Sequence, residues 1–198
     1  MFDIIKADLA RKREMYHHYD SWVVRNVKNV IDPGALAVLV HRFGFWSASL
    51  KLPLIKHLLI LIYAVLKIGI ILGFGIFIPL KARIGKGFVI HNFGGIFIPN
   101  STFGENVTVQ QGVTLGAVRP NKWKGKPRPP RVGNNVYIGA GAKVLGDVKI
   151  GDGAIVGANS VVMNDVPEYC TVMGIPARII SRNQPSEQAY GMPEKKKG

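Results

Sequence analysis

From Ile78 onward every sixth residue is large and apolar: Ile78, Ile84, Ile90 and Ile96. One inserted residue shifts the phase to Phe103, Val109 and Leu115. After a break the ladder resumes at Val132 and runs through Ile138, Val144, Ile150 and Val156 to Val162. A period of six is neither the 3.6 of a helix nor the plain alternation of a flat sheet. It fits a short strand followed by a tight turn, three such units closing one triangular coil. The ladder then points inward, and stacked coils bury a core that no single coil can bury alone. The expectation is a mainly β chain, a left-handed parallel β-helix spanning residues 78–166. Glycines that follow the ladder, such as Gly85, Gly104, Gly133 and Gly139, are expected at corners where the backbone adopts conformations that a Cβ disfavours.

The rest of the chain does not keep this period. Residues 116–131 are rich in proline and basic side chains and predict a loop extruded from one corner. Residues 1–77 predict a helical region: a polar helix over about 3–30, a turn at Asp32-Pro33-Gly34, and a helix over Ala35–Ser49. Residues 167–180 are expected to cap the last coil irregularly. Residues 181–198 are polar and are expected to be disordered.

The segment after Pro53 is almost wholly apolar, with Lys51, Lys56 and Lys67 beside or within it. Three placements remain open for it: burial against the open end of the β-helix or in a subunit contact, an interfacial membrane helix, or a transmembrane span. Lys67 opposes the third, because a central lysine costs roughly 2.5–3.5 kcal/mol on insertion scales.

The charge is lopsided. The chain carries 26 Lys+Arg against 12 Asp+Glu, a net +14. No acidic residue occurs between Asp32 and Glu105. Basic charge interleaved with apolar sequence points to an anionic membrane surface or a phosphorylated cofactor. The zinc-finger and aromatic sheet motifs of nucleic-acid binders are missing, so no nucleic-acid partner is expected. The polar, charged start lacks the apolar region of a signal peptide. The expected location is the cytoplasm, peripheral on the cytosolic face of a membrane. Cys170 is the single cysteine, which rules out an intramolecular disulfide and reads as a small buried side chain.

Of five histidines only His91 lies among the coils. It follows ladder residue Ile90, at a corner facing an outer groove, where an imidazole can act as general base. A zinc enzyme on this fold needs about three converging imidazoles; one coil histidine cannot supply them, so no metal is expected.

The stretch IGKGFVIHNFGGIFIPNSTFGENVTVQQGVTLG, then RVGNNVYIGAGAKVLGDVKIGDGAIVGANSVVMNDVP and MGIPARII, resembles the serine acetyltransferase family. It resembles most the branch of the colanic-acid acetyltransferase type, which acetylates bacterial exopolysaccharide. The resemblance implies a homotrimer with acetyl-CoA in the groove between neighbouring prisms and His91 as the catalytic base. It implies cofactor contacts at Gly116 and Ala117, at the corner residues Ala140 and Ala158, at Lys143, and at Arg178, whose guanidinium suits a phosphate. Asn92 and Gly94 are the expected acceptor contacts.

Three departures bear on the acceptor. Where the serine-specific enzymes carry an aspartate fifteen residues before the histidine, this chain has Ile76. Where they carry one immediately before it, this chain has Ile90, and their Arg-His-Pro loop is matched by Arg128-Pro129-Pro130. The reading that follows is O-acetylation of a sugar hydroxyl on an exopolysaccharide or its lipid-linked precursor. Serine O-acetylation is the enzymatic alternative, and a non-catalytic scaffold that binds membrane or glycan is the other.

Overall fold

The computed structural model describes residues 2–15, 31–117 and 128–182. The N-terminal region supplies three helices: α1 (Phe2–Met15), α2 (Pro33–Ser49) and α3 (Pro53–Phe74). α2 starts two residues before the expected Ala35, the expected turn being its cap and first turn: Pro33 opens the helix and the Asp32 carboxylate accepts a hydrogen bond from the Ala35 N–H at 3.0 Å. α3 also starts on a proline and ends at Gly75, whose φ of 62° is the left-handed conformation that closes helices. The expected polar helix reaches only Met15; its remainder, 16–30, lies outside the described residues.

The β region is a prism of three sheets, one per face, entered in turn by successive strands. One face stacks β1 (Ile76–Phe77), β4 (Ile96–Phe97), β7 (Thr114–Gly116), β10 (Lys143–Leu145) and β13 (Val161–Val162). The second stacks β2 (Arg83–Ile84), β5 (Thr102–Phe103), β8 (Arg131–Val132) and β11 (Lys149–Ile150). The third stacks β3 (Val89–His91), β6 (Thr108–Gln110), β9 (Tyr137–Ile138), β12 (Ile155–Val156), β14 (Cys170–Gly174) and β15 (Ala177–Arg182). Every pairing among β1–β14 is parallel, as a left-handed β-helix requires. Twelve of the thirteen ladder residues are buried, and Ile84 is partly so. The first rung lies slightly before the expected start, since Ile76 already pairs with Ile96.

Two expectations are corrected. Residues 167–180 are not irregular: β14 continues the third face in parallel with β12, and β15 folds back antiparallel on it, carrying the order to Arg182. The glycines after the ladder do not sit at positive φ. They are small because the next coil is close. A Cβ on Gly85 would lie 2.4 Å from the Gly104 carbonyl oxygen, and one on Gly139 would lie 2.7 Å from the Ala158 nitrogen. The left-handed turns fall two residues later, at Gly87, Asn106, Asn135, Gly141, Gly153 and Asn159.

The helices are fixed to the first coil by buried charge. Arg42 of α2 grips Asp8 of α1 at 2.9 Å and donates to the carbonyl oxygens of Ile84 and Gly85. Asp8 in turn accepts from the Phe88 N–H at 2.9 Å. Lys12 of α1 pairs with Asp32 and donates to the Ile90 carbonyl. Gly34 is packed so tightly on that carbonyl that a Cβ would come within 2.5 Å of its oxygen.

Candidate active site

His91 is the last residue of β3 and stands one rung below Gln110 of β6. The ladder keeps Ile90 wholly inside the prism, so alternation turns the next side chain outward. The imidazole is half-buried, and its Nδ1 lies 3.5 Å from the Gln110 amide, which also bonds the Tyr137 hydroxyl one rung further up. An amide and an imidazole in this relation have two complementary arrangements. As placed, the amide nitrogen faces Nδ1; with the amide turned so that its oxygen accepts from Nδ1–H, the Nε2 lone pair is free to take a proton.

Burial lowers the pKa of His91 first, and the Lys12 ammonium lowers it further; the Asp32 carboxylate acts in the opposite sense. The net effect favours the neutral imidazole, the form a general base needs. Gln110, Lys12 and Asp32 are site neighbours that the sequence analysis missed. Gln110 was within reach of the pattern, because one coil of eighteen plus the inserted residue carries His91 onto it. Lys12 and Asp32 belong to no period.

Beyond His91 one corner of the prism carries a column of aligned residues. Asn92, in a left-handed conformation, bonds Gln111 through its amide at 3.2 Å. The Gly141 N–H bonds the Gln111 carbonyl, and the Asn159 N–H bonds the Ala140 carbonyl at 2.7 Å. Asn92, Gln111, Ala140 and Ala158 therefore mark successive coils. Strands stack at about 4.8 Å, so three steps place Ala158 roughly 14 Å along the prism from the level of His91. Small side chains at Ala140 and Ala158 leave this edge open. Gly94, at a φ of 103°, has no atom within 4 Å of where a Cβ would stand, so the backbone beside His91 is open to an acceptor.

The other expected site residues are dispersed. Gly116 ends β7 opposite Leu145, and exposed Ala117 begins the loop, of which residues 118–127 lie outside the described residues. Lys143 spends its ammonium on the Gly112 carbonyl at 2.6 Å and on the Thr114 hydroxyl at 3.0 Å. Arg178 is exposed on β15, five strands beyond β3 on the third face. Ile76 and Ile90, at the two positions where aspartates were noted as missing, both point into the core, with 1% and 0% exposure. Arg128 lies 3.6 Å from Asp147, beside Pro129 and Pro130.

Comparison with known proteins agrees with this geometry. The bacterial transferase hexapeptide family, described by six repeats, matches residues 129–164. A serine acetyltransferase of Synechococcus elongatus is 41% identical over 152 residues, covering 76% of this chain and 58% of the relative. The chain thus spans little more than half the length of that relative. Soybean serine acetyltransferase complexed with serine superposes with a TM-score of 0.72 at 34% identity, covering 90% of this chain and 68% of that one. The Brucella abortus serine acetyltransferase in complex with coenzyme A superposes with a TM-score of 0.70 at 29% identity, covering 89% and 68%. These likenesses overturn the expected polysaccharide acceptor: the relatives are serine acetyltransferases, not enzymes of the exopolysaccharide branch.

Proposed function

Because the chain belongs to the hexapeptide-repeat acyltransferases, we propose that it moves an acetyl group from acetyl-CoA to the hydroxyl of serine. The carrying observation is His91, half-buried at the open corner whose column of small residues leads away along the prism, where burial and the Lys12 ammonium lower its pKa.

The reaction is a single displacement. The Nε2 of His91 accepts the hydroxyl proton as the serine oxygen attacks the thioester carbonyl carbon. The tetrahedral intermediate collapses, the carbon–sulfur bond breaks, and the CoA sulfur leaves with the proton that His91 took up. General-base help of this kind contributes roughly 10²–10⁴-fold. Acetyl-CoA runs along the Ala140–Ala158 edge with Arg178 toward its phosphates, and Gly116 and Ala117, at another corner of the prism, come beside the thioester from a neighbouring prism. The homotrimer of this reading encloses that edge with a neighbouring prism, and its cellular setting is the cytoplasm, where acetyl-CoA is made and used.

The acceptor grip differs from a carboxylate-based one. Ile76 and Ile90 are core residues and cannot hold an ammonium. Polar contact near His91 comes instead from Asn92, Gln110 and the open backbone at Gly94, so weak ground-state binding of serine is expected.

The test is release of free CoA thiol by the purified chain given acetyl-CoA and L-serine, with wild type and His91→Ala compared. Serine-dependent release that falls by roughly 10²–10⁴-fold in the variant, with acetyl-CoA still bound, supports the assignment. Binding of acetyl-CoA without serine-dependent release overturns the acceptor.

A further inference from the structure

The outer face of α3 is unlike the rest of the surface. Leu54, Leu58, Leu61, Val65, Ile68 and Leu72 are 55–84% exposed and follow one another at spacings of four and three along one side of the helix. Exposed Ile55, Ile62 and Leu66 widen this stripe, and a Cβ on Gly69 or Gly73 would meet nothing within 4 Å. At about 1.5 Å per residue the helix is roughly 33 Å long. Monomeric proteins rarely leave an apolar face of this extent in water.

The side turned inward carries the polar groups. Tyr63 is buried, and the Lys67 ammonium lies 4.8 Å from the centre of the Phe77 ring. The one charge within the apolar run is therefore directed off the exposed face. At the start of the helix stand Lys51 and Lys56, for which no ion pair occurs among the described residues. No acidic residue lies anywhere in the stretch 33–104.

From this arrangement we infer that α3 docks in the plane of an anionic lipid bilayer, its apolar stripe among the acyl chains and Lys51 and Lys56 among the headgroups. An interfacial helix of this kind buries its apolar side about 5–10 Å deep, and lysines near the surface add attraction to anionic lipid. Lying in the plane also removes the objection that Lys67 raises against a span. Charge complementarity selects lipid over a second copy of the chain. A second copy meeting this stripe offers those lysines no carboxylate from residues 33–104. The inference does not depend on the acetyl-transfer reading.

Vesicle flotation of the full chain tests it, using phosphatidylcholine alone and phosphatidylcholine with about one-third phosphatidylglycerol, an anionic mixture. The chain should float with the anionic vesicles and be released as salt rises. Lys51→Glu with Lys56→Glu should lower partitioning by about tenfold or more. Leu61→Glu with Val65→Glu should abolish it, while far-UV circular dichroism and the urea midpoint stay as in wild type because both positions are exposed. Absence of flotation on anionic vesicles overturns the inference, as does flotation unchanged in the Leu61→Glu/Val65→Glu variant. A smaller oligomer in that variant, without lipid binding by wild type, would assign the face to a second copy.

Discussion

The prism and the helical region solve the burial problem in opposite ways. The prism turns a ladder of aliphatic side chains inward and satisfies its backbone by stacking one coil on the next. Its charged side chains stay at the surface or half-buried at corners. The helical region hides charge instead: Asp8, Lys12, His41 and Arg42 are all buried, while α3 shows its leucines to the outside. The repeat makes the prism self-sufficient, whereas the helices depend on what they touch.

That contrast can be broken most decisively at Asp8. Asp8→Ala leaves Arg42 buried without its carboxylate, and loss of one partner of a buried pair costs about 3–5 kcal/mol. Urea denaturation should show this, and adding Arg42→Met should recover much of it. A result within about 0.5 kcal/mol of wild type, the range of an ordinary surface substitution, would mean the pair is not the fastening described. Next come two aliphatic residues in the two regions. Ile138→Ala, at 0% exposure, should cost roughly 2–5 kcal/mol. Leu61→Ala, at 63% exposure, should change the urea midpoint little. Equal losses would show that α3 is covered in the folded protein.

A third difference is a dependence on acid. Burial, and then the nearby Arg42 charge, lower the pKa of His41 to about 4 from the ordinary 6.5. The unfolded chain binds the extra proton first, so stability is complete above pH 6.5 and declines as pH falls toward 4. At 1.36 kcal/mol per unit the loss is about 3 kcal/mol over that window. A pH series of urea midpoints should follow this course, and His41→Leu should flatten it. The smallest effect concerns the reaction. The Asp32 carboxylate raises the His91 pKa and the Lys12 ammonium lowers it. In the serine assay, Asp32→Asn should move the acidic limb of the rate profile to lower pH, and Lys12→Met should move it higher. Both moving alike would mean the pair only packs.

The prism was legible because its period is set by backbone geometry. Thirteen apolar residues located three faces, and Ile90 among them set the outward position of His91. The role of the glycines was not legible: proximity of the next coil and freedom of φ both select glycine, and only the stacked distances at Gly85 and Gly139 separate them. β15 escaped notice because a single antiparallel return has no period. The sequence left three placements open for α3, because it does not say which side of so apolar a helix meets protein. Lys12 lies 78 residues before Ile90, and nothing local to either predicts their bond. The acceptor was misjudged for a related reason: absent aspartates reveal which groups do not hold a substrate, not which substrate is held.

The corner column at Asn92, Gln111, Ala140 and Ala158 has one more implication. Because each coil contributes one residue to it, the column works as a ruler graduated in steps of about 4.8 Å. Distance from His91 is counted in whole coils and cannot be adjusted by less. A change of acceptor is then a local edit at the first graduation, made without moving the donor end. Insertion of a full coil between Gln110 and Ala140 would carry the donor end one mark out of register while leaving every rung of the core intact.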